Sequence, residues 1–506
     1  MAHRPNDAMW KQLMQRSARE NLSLQAQIRA MLAGAILDGQ LPAGVPIPSS
    51  REMALNLGVA RNTVVLAYQQ LADEGYLLSR ERSGHFVNPD MIGKRLVEPE
   101  AGLTLPRQAG PDWKSRVVHH LSHQRNIIKP ADWQRYPYPF LYGQFGTSLF
   151  PTADWRECCT KALSVMDIRE WAPDLITRDD ELLVQQIRTR VLPRRGIWAG
   201  ADEVIVTVGA QHALFMVADL LVREGMRVGI EEPGYPDARN IFGTRTSALV
   251  ELPVDESGLP IDDKLVGLDY LYATPSHQCP TGVTMPLARR EALLASAQAN
   301  DFIIIEDDFE SENRFDGDPF PALKSLDRSD RVIYVGSLSK ALAPGLRVGF
   351  IVAAAPLIAE LRALRRLMLR HPSALVQRAF ALFLSLGHYD ALLRRLASVQ
   401  RERCALVLEA LARHAPTCDV VPVSGGGSCW VSLPEGLDVN ELARKAESQG
   451  VLIEPGDVFF HGPLPARRAF RLGYASIESK AIEPGIQILG ALIQYMTLTQ
   501  QRTQTA

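Results

Sequence analysis

Arg331-Val-Ile-Tyr-Val-Gly-Ser-Leu-Ser-Lys340-Ala-Leu-Ala-Pro-Gly-Leu-Arg347-Val-Gly is the stretch that decides the fold. Val332 to Val335 is a β-branched and aromatic run of the kind that forms a buried strand. It breaks at Gly336, and a Ser/Lys/Arg cluster follows at once. Open α/β sheets place their chemistry at such strand ends. A lysine there, flanked by hydroxyls and an arginine, can form a Schiff base while its neighbours hold a phosphate. A lone lysine would be read as a solvated surface charge. Ser337-x-x-Lys340 also fits the nucleophile signature of β-lactamases, but the Ser-Asp-Asn and Lys-Thr-Gly that this chemistry needs are absent from the chain.

Four other segments supply what pyridoxal phosphate requires beyond a lysine. Asp301-Phe-Ile-Ile-Ile-Glu306-Asp307-Asp308-Phe309 is a second apolar strand ending in carboxylates. A carboxylate against the pyridine nitrogen keeps it protonated and makes the ring an electron sink; Asp307 is assigned that role. Glu203-Val-Ile-Val-Thr-Val208 leads into Gly209-Ala210-Gln211-His212, a glycine turn opening a helix. Backbone there can approach a phosphate and offer free amide hydrogens. Glu231-Glu232-Pro233-Gly234-Tyr235-Pro236 is a rigid turn whose tyrosine can stack on a pyridine face. Arg471, inside the apolar run Ala469-Phe-Arg-Leu-Gly-Tyr, needs a partner, and its planar fork suits a small ligand's carboxylate or sulfonate. A structural salt bridge is the competing reading of that arginine.

These segments occur in one order. Together with Thr274-Pro-Ser-His-Gln-Cys-Pro-Thr-Gly282, they make residues from about Tyr138 to Met496 resemble a fold-type I aminotransferase. The resemblance implies Lys340 as the Schiff-base lysine, Asp307 as the pyridine partner and Tyr235 as the stacking ring. It implies Gly209, Ala210, Gln211, Ser337 and Ser339 as phosphate neighbours, with Arg347 and Arg471 as contacts for the cofactor phosphate or a ligand acid.

The N-terminal region reads differently. Leu24, Ile28, Met31, Leu32, Ala35 and Ile36 follow helical spacing. Leu41-Pro42-Ala43-Gly44 breaks that helix, and Ser49 and Glu52 have capping-box spacing at the start of a second. A third helix begins around Ala60-Arg61-Asn62-Thr63, with Val64, Ala67, Tyr68 and Leu71 facing inward and Asn62 and Gln69 outward. This helix–turn–helix spacing puts the last helix in a DNA major groove. Tyr76-Leu-Leu-Ser and His85-Phe-Val flank Arg80-Glu-Arg-Ser-Gly84, the pattern of a β-wing. Residues from about Leu24 to Asn88 resemble the winged helix–turn–helix of the GntR family. The resemblance implies DNA contacts from Arg51, Arg61, Asn62 and Thr63, assisted by the wing near Gly84. Arginines position a reader on phosphates or read guanine, and asparagine reads adenine. Acidic and basic residues balance in this region, so binding rests on a few placed cations, with a modest salt dependence.

A GntR-like reader joined to an aminotransferase-like body resembles the MocR subfamily of bacterial regulators. The expected organisation is an extension over 1–20, the reader over 21–89, a linker over 90–135 and an α/β effector body with a mixed, mainly parallel sheet over 136–500. The resemblance implies a transcriptional regulator that senses a small amine or amino acid-like effector through an external aldimine, as a homodimer with swapped, head-to-tail chains. An active aminotransferase tethered to DNA is the alternative. Subfamily members commonly carry a tyrosine where this chain has Phe309, whose ring offers no hydroxyl to the cofactor. Where Asp237 lies, a γ-aminobutyrate-responsive relative uses an arginine for its ligand's acid; Arg239 is the substitute candidate, and taurine or an ectoine-derived amine are candidate effectors.

Composition agrees with several soluble domains: 506 residues, 46% hydrophobic and net charge −2. There is no signal peptide and no apolar run of about 18 residues, so neither secretion nor a membrane span is expected. Cysteines 158, 159, 279, 404, 418 and 429 lack zinc spacing, and reduced thiols in the cytoplasm are expected with no metal site.

Overall fold

The structure is a computed structural model that describes residues 7–17, 22–80, 83–90, 110–143, 146–310, 320–461 and 468–504. The chain divides into two compact units, 1–116 and 117–506.

In the first unit, α1 (Asp7–Ser17), α2 (Leu24–Leu37), α3 (Ser50–Leu57) and α4 (Arg61–Asp73) pack beside a hairpin of β1 (Leu77–Arg80) and β2 (Gly84–Val87). Ser49 caps α3 as its spacing predicts, its hydroxyl accepting the Glu52 N–H at 3.2 Å. Val64, Ala67, Tyr68 and Leu71 are buried on one face of α4, joined by Ile28, Met31, Leu32 and Ile36 of α2. Leu24, expected on that inner face, is 52% exposed because it is the first residue of its helix and overhangs the core. The N-terminal extension is not separate from the reader: Trp10 on α1 is buried in the same cluster.

The second unit is built on a seven-stranded sheet. After β3 (Tyr138–Pro139) its strands are β4 (Val204–Thr207), β5 (Val228–Glu232), β6 (Leu249–Pro253), β7 (Tyr270–Ala273), β8 (Ile303–Asp307), β9 (Val332–Ser337) and β10 (Gly349–Val352). Their order is β4-β10-β9-β8-β7-β5-β6, and β10 alone runs antiparallel to its neighbours β4 and β9. Strands β4, β9 and β10 are buried almost throughout, which is why they read as continuous apolar runs. A smaller antiparallel sheet holds β11 (Asp419–Val420), β12 (Ser428–Ser432), β14 (Glu454–Pro455) and β15 (Ala469–Gly473), in the order β11-β12-β15-β14. Separately, β13 (Val451–Leu452) pairs in parallel with β3.

The expected linker over 90–135 splits. Residues 91–109 lie outside the described residues, whereas 117–135 belong to the second unit. Gln124 and Asn240 tie this segment to the body, with Asn240 Nδ2 donating to the Arg125 carbonyl at 3.0 Å. Among the described residues no helix is long and apolar enough to cross a membrane.

Candidate functional site

The C-terminal ends of β4, β5, β7, β8 and β9 open onto one cavity of about 350 Å³. Lys340, Asp307, Tyr235, Gly209, Ala210, Gln211, Ser337, Ser339, Arg347 and Arg471 all line it. Segments up to about 260 residues apart in sequence thus converge at the strand ends of a parallel sheet.

Lys340 lies just past β9, in the short helix Ser339–Leu342. Its Nζ is 4.3 Å from the ring centroids of both Tyr142 and Phe309. Burial lowers the ammonium's pKa, with Glu310 and Asp307 opposing and Arg471 reinforcing the shift. A lysine so placed is more readily the free amine that attacks a carbonyl.

Strand alternation selects one carboxylate out of three. Glu306 turns away from the cavity and accepts the Leu323 and Lys324 N–H groups at 2.8 and 2.9 Å. Asp308 also turns away, pairing with Arg195 at 2.7 Å and accepting the Tyr334 hydroxyl at 2.7 Å. Asp307 between them faces the cavity. Its Oδ2 accepts the Tyr272 hydroxyl at 2.9 Å, while its buried Oδ1 has no partner among the described residues. Burial pushes its pKa up to about 6, with Tyr272 and Lys340 pulling the other way. A buried carboxylate oxygen without a donor, in a cavity, is a seat for a protonated ring nitrogen. The residues present therefore fit a pyridinium cofactor.

The end of the cavity at Gly209 is equally specific. Gly209 starts the helix Gly209–Leu221 with φ +76°, and a Cβ there would stand 3.2 Å from the Arg347 guanidinium. The close approach needs glycine. His212 was missed by sequence reasoning. Its Nδ1 accepts the Val208 N–H at 3.0 Å, and burial with Arg365 and Arg347 nearby lowers its pKa to about 4, so the neutral ring pins the turn. Ser339 lines the cavity, but its hydroxyl donates to the Val348 carbonyl at 2.9 Å and accepts the Val348 N–H. Ser337 and Arg347 line the same end.

Tyr235 donates its hydroxyl to Asp237 at 3.0 Å, and Gln211 donates to the same carboxylate at 3.3 Å. Glu231, raised to about 7 by burial, accepts the Thr274 N–H and hydroxyl and so holds the 274–282 loop. That loop brings Cys279 to the cavity wall. Arg471 on β15 lies opposite Glu454 on β14, and its Nε donates to Glu454 at 2.8 Å. Its guanidinium stacks 4.1 Å from the Tyr142 ring centroid and 4.7 Å from that of Phe459. The structure does not bring Arg239 here. Arg239 points away, donates to the Val458 carbonyl at 3.0 Å and lines a separate recess with Glu232, Glu251 and His461. Tyr142, Ile127 and Lys129, none of them singled out in the sequence, complete the wall.

In the first unit Arg61 and Asn62 are exposed at the start of α4, Thr63 is half-buried beside them, and Arg51 is exposed on α3. Gly84 begins β2 with φ +94° and lies opposite Arg80 across the hairpin, whose residues 81–82 lie outside the described residues.

Comparison with known proteins fits both units. The family model for bacterial regulatory proteins of the gntR family matches residues 24–87, and that for aminotransferase class I and II matches 194–489. The HTH-type transcriptional regulator TauR of Rhodobacter capsulatus is 43% identical over 92% of this chain and 95% of its own. A probable rhizopine catabolism regulatory protein, MocR of Rhizobium meliloti, is 33% identical over 93% of each. The crystal structure of LysN, an α-aminoadipate aminotransferase from Thermus thermophilus, superposes with TM-score 0.69 at 28% identity, covering 77% of this chain and 100% of that one. The class defined is a winged helix–turn–helix reader fused to a fold-type I aminotransferase body, a fold of pyridoxal phosphate-dependent proteins. The chain belongs to the MocR-type HTH transcriptional regulators of the GntR family.

Proposed function

We propose that this regulator holds pyridoxal phosphate at Lys340 and controls transcription in response to a small amine that carries an acid group. The observation that carries the reading is the unpartnered Oδ1 of Asp307 in the cavity that Lys340 lines. Pyridoxal phosphate, when bound, supplies an aldehyde for which Lys340 and an effector amine compete. Asp307 holds a proton on the ring nitrogen, Tyr235 covers the ring, and Gly209, Ala210, Gln211, Ser337 and Arg347 receive the phosphate. Ser339 shapes that end through Val348. Arg471 receives the effector's acid, and Arg239 is left to scaffolding. Arg51, Arg61, Asn62, Thr63 and the wing at Gly84 contact DNA. The protein acts in the cytoplasm as a homodimer, with chains swapped head to tail, because paired readers match a two-half-site operator. A full swing between two reader arrangements needs about 5.5 kcal/mol of differential effector binding, and partial control needs less.

The test is a screen of amines against the visible absorbance of the cofactor-loaded protein, paired with binding to a duplex from its own promoter region. An amine that shifts both supports the reading. Amines that shift neither, or protein that stays colourless after saturation with pyridoxal phosphate, overturn it. The likeness to LysN and the Lys340–Asp307 pair favour a second reading, a working aminotransferase. Steady keto-acid release from an amine donor would support that one, and the Phe309 ring, which offers Lys340 no hydroxyl, counts against it.

A further inference from the structure

The cavity wall includes a piece of the connector. Residues 124–129 lie against the body, where Arg125 Nη1 donates to the Phe460 carbonyl at 3.3 Å and Asn240 Nδ2 donates to Asn126 Oδ1 at 2.7 Å. From this strap, Ile127 and Lys129 reach the cavity. Lys129 donates to the Tyr142 carbonyl, and its Nζ lies 3.2 Å from Glu454 Oε1. Glu454 is 3% exposed and gives its other oxygen to Arg471 Nε at 2.8 Å.

Lys129 and Arg471 share the single carboxylate of Glu454, and burial, reinforced by Arg471, lowers the Lys129 ammonium's pKa against the pull of Glu454. Among the described residues the two terminal nitrogens of Arg471 carry no hydrogen bond. A planar fork with free N–H groups binds an acid group in two-point fashion. An incoming anionic group would give Lys129 an acceptor in addition to the Tyr142 carbonyl and its ion pair with Glu454.

We propose that Lys129 is a specificity-determining residue that, with Arg471, recognises the acid group of the effector, so that occupancy of the cavity holds the strap 124–129 against the body. The inference deepens the proposed function and rests on it. Arg471 lies on a strand of the small antiparallel sheet, whereas Lys129 sits on the strap 124–129. An acid group bridging the two ties the strap to the sheet. Effector binding and strap docking then stabilise each other, which is the differential contact that a population shift requires. An amine without an acid reacts at Lys340 but leaves the strap as it was.

The experiment compares wild type, Lys129→Met and Lys129→Arg. The probes are 2-aminoethanesulfonate, β-alanine, 4-aminobutyrate and, as the amine without an acid, n-butylamine. Apparent affinities come from the visible absorbance of the loaded protein. Lys129→Met should weaken the acid-bearing amines by about tenfold or more, leave butylamine within about twofold, and be rescued by Lys129→Arg. Hydrogen exchange of amides 124–129 in wild type supplies a readout free of folding defects: acid-bearing amines should slow it, and butylamine should not. Equal effects of Lys129→Met on both kinds of amine, or none on either, overturn the proposal, as does strap exchange that ignores the acid. A wild type whose absorbance answers to none of the four probes removes the functional reading beneath it as well.

Discussion

Asp307→Asn separates what this carboxylate costs the empty protein from what it gives the loaded one. In the protein without cofactor the carboxylate is buried, with Oδ1 unpartnered and its pKa pushed from 3.8 to about 6. The folded state therefore binds a proton more tightly than the unfolded state. Its stability contribution is intact at low pH and is lost as pH rises from about 4 through about 6. Two pKa units correspond to about 3 kcal/mol. Asparagine does not titrate, so the difference in unfolding free energy between variant and wild type should move by about 3 kcal/mol in the variant's favour from pH 4 to pH 7. Glu231 and Glu306, both raised to about 7, are common to the two proteins and largely cancel. With cofactor bound the sign reverses, because the carboxylate gains a charged donor, a bond worth about 1.5–3 kcal/mol. Cofactor retention in the variant should fall by about ten- to a hundredfold. The assay is urea unfolding of both cofactor-free proteins across that pH range, followed by pyridoxal phosphate titration. Parallel stability–pH curves would refute the reasoning, because they would mean that this carboxylate is as well solvated folded as unfolded.

Lys340→Ala should bind pyridoxal phosphate only reversibly, so that gel filtration in denaturant leaves a colourless chain; colour that survives would place the covalent link elsewhere. Gly209→Ala forces a left-handed alanine and a Cβ against Arg347, and cofactor affinity by absorbance titration should drop about tenfold. Arg61→Ala should cost about 1–3 kcal/mol of operator binding in a gel shift while leaving the cofactor spectrum intact. Arg471→Ala should keep the colour but lose the spectral response to acid-bearing amines, and an unchanged effector affinity would assign Arg471 to the salt bridge with Glu454 alone.

The features legible in sequence are those fixed by local periodicity. The buried strands announce themselves as apolar runs, and each breaks at a residue that reaches the cavity: Gly209 after β4, Tyr235 after β5, Asp307 on β8 and Lys340 after β9. The inward face of α4 is legible for the same reason. Residues placed by long-range pairing are not. Glu454 meets Arg471 through strand register, and β3 joins β13 across more than 300 positions, carrying Tyr142 to the cavity. Lys129 lies in a stretch whose proline, glycine and charge read as linker, and nothing local marks it as docked. Arg239 failed for a geometric reason. Asp237 lines the cavity from the helix Pro236–Gly243, and a residue two positions further on lies about 200° round that helix, so Arg239 faces the separate recess instead.

The same logic bears on why a regulator can dispense with a hydroxyl at position 309. On the proposed reading a sensor needs occupancy that differs between two states, whereas a transaminase needs repeated proton transfer at the ring's substituent carbon. Lys340 sits between two aromatic faces, Phe309 and Tyr142, and burial already lowers its pKa. That is enough for reversible exchange with an amine. A phenol at position 309 would add a donor beside the aldehyde and favour onward chemistry. Phe309→Tyr is accordingly the substitution that should move this body toward turnover: keto-acid release should rise while amine-dependent DNA binding becomes transient. A variant that remains inactive and keeps a stable response would show that turnover is limited elsewhere in the site.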